Sequence, residues 1–132
     1  MTRQVWPLLR DRPSIQVTLP LAPGSQPVLR NLLADTGAGT ARVGIDLVLD
    51  ERDCLRGQGL FLHTVKLGGS YVGSYPLYAL RVQIPALGFD REVSVVGVSR
   101  VPAGFDGLAC FPFLNRFTYG NFGDPGQFGL EV

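Results

Sequence analysis

The stretch LLADTGAGT, from Leu32 to Thr40, decides how the rest of the chain is read. Two leucines and an alanine lead into Asp35; a threonine and two closely spaced glycines follow it. Aspartate in a turn is ordinary, because its carboxylate caps nearby backbone N–H groups. Aspartate at the end of an apolar strand is not, because an unpaired buried charge is costly. A carboxylate in this place either caps a local turn or is held there for chemistry.

The bulk properties narrow the choice. A length of 132 residues fits one domain, residues 1–132. With 45% hydrophobic and 17% charged residues, the chain has the composition of a folded domain. The formal net charge is +1 and the basic residues are scattered, which argues against a nucleic-acid or membrane partner. No apolar run approaches the ~20 residues that span a bilayer. The segment MTRQVWPLLRDRP lacks the apolar core of a secretory signal, so a cytoplasmic location is expected. Cys54 and Cys110 are then expected as free thiols. His63, the single histidine, reads as a strand residue with no catalytic part. A His/Cys-rich zinc site lacks ligands, and neither metal nor cofactor is expected.

Seventeen glycines and ten prolines cut the chain into short pieces rich in Val, Leu, Ile, Phe and Tyr, the pattern of an all-β domain. SIQVTLP alternates Ile15, Val17 and Leu19 with polar residues, and PGSQP turns it into a second strand, VLRNLLA. LFLHTVKL (60–67) and YVGSYPLYALRVQI (71–84) form a hairpin about Gly68-Gly69-Ser70, with Gly57-Gln58-Gly59 as an alternative tip. REVSVVGV (91–98) is an apolar strand. CFPFLNRF (110–117) reads as a short helix with Pro112 in its first turn. GIDLVLDERD fits either strand or helix. QFGLEV alternates Phe128, Leu130 and Val132 and reads as a terminal strand. The aromatic residues Phe111, Phe113, Phe117, Tyr119 and Phe122 read as core, and some of Tyr71, Tyr75 and Tyr78 as lining a cleft.

Strand, Asp-Thr-Gly-Ala, then a second glycine: in this order LLADTGAGT resembles the catalytic loop of the retropepsin-like aspartic proteases, half-size relatives of pepsin that work as homodimers. The motif lies in the first third of the chain, after a hairpin, and the Gly68-Gly69 hairpin follows where that family carries its flap. GFDGLACFPFLNRF resembles the family's second signature, a glycine-containing apolar loop leading into a short helix, with Phe113, Leu114, Asn115, Arg116 and Phe117 matching its end. The likeness runs from about residue 14 to residue 132. It departs at two positions: Cys110 stands where the family has glycine, and Pro112 where it commonly has an acid.

The resemblance implies an all-β, single-domain, retropepsin-like closed β-barrel with one or two short helices, assembled as a two-fold homodimer. It implies an aspartic endopeptidase acting on a peptide or protein substrate. One carboxylate cannot be both acid and base, but two sharing a proton can. The chain holds one Asp-Thr-Gly, so the second Asp35 comes from a second copy. In this reading Asp35, Thr36 and Gly37 are catalytic, with Thr36 bracing the paired loops. Ala38, Gly68, Gly69 and Leu108 touch substrate. Ala38 replaces a serine common in pepsin-like enzymes, which implies an optimum in mildly acidic solution. The terminal strand would join an intermolecular sheet. Two alternatives stay open: a weak or inactive peptide-binding or assembly module of the same fold, and an unrelated β-barrel whose turn happens to read Asp-Thr-Gly.

Overall fold

The computed structural model describes residues 1–40 and 44–132. Ten strands run β1 (Arg3–Pro7), β2 (Ser14–Leu19), β3 (Val28–Asp35), β4 (Leu47–Asp50), β5 (Leu60–Leu67), β6 (Gly73–Ile84), β7 (Phe89–Val98), β8 (Gly107–Cys110), β9 (Thr118–Gly120) and β10 (Gln127–Glu131). Two short helices, α1 (Glu51–Arg56) and α2 (Phe111–Leu114), follow β4 and β8 directly. Six strands close a barrel in the order β2-β3-β8-β4-β7-β6, and Thr18 of β2 meets Gln83 of β6 to complete it. Two pairings are parallel, β3 with β8 and β4 with β7.

The period-two alternation of strands divides neighbouring residues between two apolar clusters. Leu32 and Ala34 of β3, Leu47 and Leu49 of β4, Val95 of β7 and Ala109 of β8 point into the barrel with Ile15, Val17 and Leu19. Leu33, Val48, Val96, Leu108 and Cys110 point the other way and form a second cluster outside it. This double burial explains why VVGV (95–98) and GLAC read as unbroken apolar runs. Phe89, Phe113 and Phe117 stack edge-on and tilted at 5.4–5.6 Å between centroids, which seats α2 against the barrel.

Charge pairs lock the elements that lie outside the barrel wall. Asp53 of α1 receives a two-pronged bond from Arg30 of β3, at 2.7 and 2.9 Å. Asp50 caps α1 by accepting from the Arg52 N–H at 2.8 Å, and the Arg52 side chain and N–H hold its carboxyl below the ordinary range. The stretch left between strand and helix is therefore both: β4 through Asp50, then helix from Glu51, stopped at Gly57. The Gly57-Gln58-Gly59 turn is the exit of that helix, not the tip of a hairpin. The hairpin of β5 and β6 has its tip at Gly68–Val72, where a single 3₁₀ turn uses Gly69 at φ +64°. Its outer strand β5 has one free edge, carries the exposed side chains of Leu60, Phe61 and Leu62, and shifts register between Phe61 and His63.

The C-terminal strand corrects an expectation. β10 is flanked within its own chain by β1 and β9, so neither edge is open to a second copy. Leu130 is 0% exposed and Phe128 9%, both packed in the barrel cluster. The unforeseen partner is β1, whose short RQVWP stretch carries little periodic signal. We expect Leu130→Ala to destabilise the chain by about 2–5 kcal/mol, the usual cost of an aliphatic core truncation. The loss in urea midpoint should be the same at low and high protein concentration. A midpoint that falls only on dilution would mean that β10 serves an interface after all.

Candidate active site

β3 and β8 run parallel in register, Leu33 beside Leu108 and Asp35 beside Cys110, so the Asp35 loop and the start of α2 leave the barrel side by side. The turn after β3 closes on itself. Gly37 N–H donates to Asp35 Oδ1 at 3.0 Å, and Ala38 N–H donates to the Asp35 carbonyl at 3.1 Å. A Cβ on residue 37 would lie 3.3 Å from that same carboxylate oxygen, so glycine keeps the approach open. The Phe111 N–H donates to the Ala38 carbonyl at 2.9 Å, and Gly39, at φ +81°, lies over the Pro112 ring. Pro112, an oddity in the sequence, therefore packs beneath the loop. Cys110 faces the second cluster and is 4% exposed, so its side chain does not displace the Asp35 turn.

Asp46 braces this arrangement from behind. Its carboxylate, 5% exposed as a residue, accepts from the Ser94 N–H at 3.0 Å and from the Arg116 guanidinium at 3.1–3.2 Å. Its carbonyl accepts from the Cys110 N–H at 2.9 Å. One residue thus ties β4, β7, β8 and the chain after α2 together. Sequence reasoning matched Arg116 by position alone; Asp46, within the undecided GIDLVLDERD stretch, supplies the reason for it.

Above the second cluster lies a cleft of about 1060 Å³. Leu33, Ile45, Val48, Val98 and Leu108 form an apolar floor with Asp35, Gly37 and Ala38 at its edge. One wall is the hairpin tip with Gly68, Gly69, Tyr71 and Tyr75; the other is the 99–103 loop with Arg12. The structure therefore gathers Asp35, Gly37, Ala38, Gly68, Gly69 and Leu108 around one space. Thr36 is exposed on the loop tip outside the lining. Tyr71 and Tyr75 meet edge to face, with centroids 6.3 Å apart. Tyr78 belongs elsewhere: its hydroxyl donates to Glu51 of α1 at 2.9 Å. His63 is exposed on β5 and lies outside the cleft lining. The 99–103 loop escaped sequence reasoning, because SRVPA carries no motif and meets Asp35 only through the closed barrel.

Among the described residues there is no cluster of three or more His, Cys, Asp or Glu side chains able to hold a metal. No helix among them is long and apolar enough to cross a membrane.

The architecture is similar to that of the crystal structure of a retropepsin-like aspartic protease from Rickettsia conorii, with a TM-score of 0.60 over 97% of this chain and 89% of that one. The fold is retropepsin-like. Sequence identity over the match is 18%, so the likeness is one of fold. Neither a scan against protein-family models nor a search of curated proteins found a match. The retropepsin-like architecture bears out the expected barrel with two short helices.

Both cysteines are free and buried. Burial, reinforced by the charges of Asp35 and Asp46, pushes the Cys110 thiol from 9.0 up to about 12. Burial, reinforced by Asp53 and Glu51, does the same to Cys54. The Tyr78 hydroxyl also rises to about 12, through burial and its bond to Glu51. The folded state favours the neutral form of each group. Its stabilising contribution is complete below the unfolded-state pKa values, 9.0 for the thiols and 10.0 for the phenol, and is lost as pH climbs through about 12. We expect unfolding free energy to be insensitive to these groups below pH 9 and to fall above it, by up to about 1.4 kcal/mol per pH unit for each group. Alkylation by iodoacetamide at pH 8 should be slow in the native protein and rapid in urea. Fast native labelling at Cys110 would contradict this account of its burial.

Proposed function

We propose that this chain is an aspartic endopeptidase that works as a two-fold homodimer, with one Asp35 from each copy forming the catalytic pair. The observation that carries this reading is the placement of Asp35. Of the carboxylates among the described residues, it alone lines the cleft. It is held by a turn that glycine keeps open, and Thr36 and Gly37 are exposed beside it. A loop tip presented in this way can meet its own copy across a two-fold axis, since each subunit offers the same patch.

The chemistry follows from sharing one proton between two carboxylates. Like charges ~3 Å apart cannot both ionise, so one Asp35 stays protonated while the other is a base. The ionised carboxylate takes a proton from water as the water oxygen attacks the peptide carbonyl carbon. The protonated one donates to the carbonyl oxygen as its double bond opens. The tetrahedral diol then collapses, the C–N bond breaks, and the departing amine takes a proton from the pair. Thr36 braces the two loops against each other. The hairpin tip with Gly68 and Gly69 serves as the flap, and an extended substrate lies beneath it, over Leu108 and Ala38, bonding through its backbone as an added strand.

Asp35→Asn is expected to remove nearly all turnover of a peptide library while leaving the fold intact. An Asn side-chain oxygen can still accept from Gly37 N–H, but the amide cannot activate water. Wild-type turnover by that variant would falsify the reading. Thr36→Val should weaken self-association in sedimentation experiments and lower specific activity most at low protein concentration. The pH–rate profile should be bell-shaped, with two apparent values belonging to the pair. Ala38→Ser should move its optimum toward acid, because the new hydroxyl favours an ionised carboxylate. A profile that stays in place or moves upward would remove this account of Ala38.

A further inference from the structure

The charges around the cleft are one-sided. Arg12 and Arg100 lie along one wall and Lys66 on the hairpin opposite, all three exposed. None of them makes an ion pair or a side-chain hydrogen bond among the described residues. Five other arginines are matched to acids, Arg3 with Glu131, Arg30 with Asp53, Arg52 with Asp50, Arg81 with Asp90 and Arg116 with Asp46, whereas Arg10, Arg56 and Arg91, away from the cleft lining, form no ion pair among the described residues. Among the described residues, the sole carboxylate lining the cleft with these three cations is Asp35, and its Oδ1 accepts from Gly37. The wall that carries two of them is built firmly. Leu9 and Arg12 exchange backbone bonds at 3.0 Å across a tight turn, and Gly104 at φ +84° leaves room for the Arg10 side chain, where a Cβ would collide.

We propose that the cleft selects extended peptides whose scissile residues are apolar and whose flanking residues are acidic. Leu33, Ile45, Val48, Val98 and Leu108 receive an apolar side chain of the scissile pair; Arg12 and Arg100 on one side and Lys66 on the other receive the carboxylates. In an extended peptide successive side chains alternate in direction. Residues on either side of the apolar pair therefore reach opposite walls. A polynucleotide fits less well, because the floor is apolar and the net charge of +1 gives no extended basic surface. The proposal rests on the hydrolytic reading only for where the scissile bond lies; the binding preference stands on the cleft itself.

The test uses the full chain carrying Asp35→Asn, so that peptides are bound and not cut. Three fluorescent peptides share one apolar centre and differ in their flanks: Glu, Gln or Lys. By anisotropy at low ionic strength, the Glu peptide should bind roughly three- to tenfold more tightly than the Gln peptide, and the Lys peptide most weakly. Half-molar salt should shrink that order. Arg12→Gln, Lys66→Gln and Arg100→Gln should each reduce the preference for Glu with little effect on the Gln peptide. Arg91→Gln, on β7 away from the cleft, should leave it unchanged. Circular dichroism checks that each variant is folded. Equal binding of the Glu and Gln peptides overturns the proposal, as does tighter binding of a single-stranded oligonucleotide, or no binding of any peptide. Turnover by the wild-type chain is scored separately. Acidic preference without turnover removes the hydrolytic reading and keeps this one; turnover without acidic preference does the reverse.

Discussion

The parallel pairing of β3 with β8 is the contact on which the cleft depends. It sets Asp35 beside Cys110, lets Phe111 bond back to Ala38, and so fixes the Asp35 turn to the start of α2. β8 fits between β3 and β4 because residue 107 has no side chain. A Cβ there would run into the carbonyl of Val48 on the strand that flanks β8 on its other edge, with Leu49 and Leu32 close behind. GLAC therefore needs glycine at its first position for the same reason that it needs apolar residues at the rest: it is buried on both faces and both edges. Asp46 and Arg116 then hold the neighbouring strands so that this crowded centre cannot shear.

Much of this was legible in the sequence, for identifiable reasons. The hairpins β2–β3 and β5–β6 follow from alternation and glycine turns, which are local signals. Asp35-Thr36-Gly37-Ala38 and Phe113-Leu114-Asn115-Arg116 pointed, by residue type and order, to the retropepsin-like fold that the structure shows. What was missed is what the closed barrel brings together from distant segments. β1 is five residues long and earns its place only by covering β10. Asp46 looks like any acid before an apolar run, and its purpose lies in Arg116, seventy residues on. The 99–103 loop has no pattern of its own, and its share of the cleft comes from the route the chain takes between β7 and β8.

Charge is distributed with the same economy. Acids that are buried, Asp46 and Asp53, each meet an arginine in geometry that satisfies both oxygens. Removing one partner of such a pair strands the other, which is more damaging than losing an exposed ion pair. The free cations around the cleft face water, so their hydration costs the fold nothing. They are at liberty to respond to whatever enters.

The outer edge of β5 has a different consequence. An edge strand with Leu60, Phe61 and Leu62 exposed is a template for another strand. The register shift between Phe61 and His63 interrupts the regular row of amides and carbonyls that such a template needs. That single irregularity blunts the edge for regular pairing with another strand.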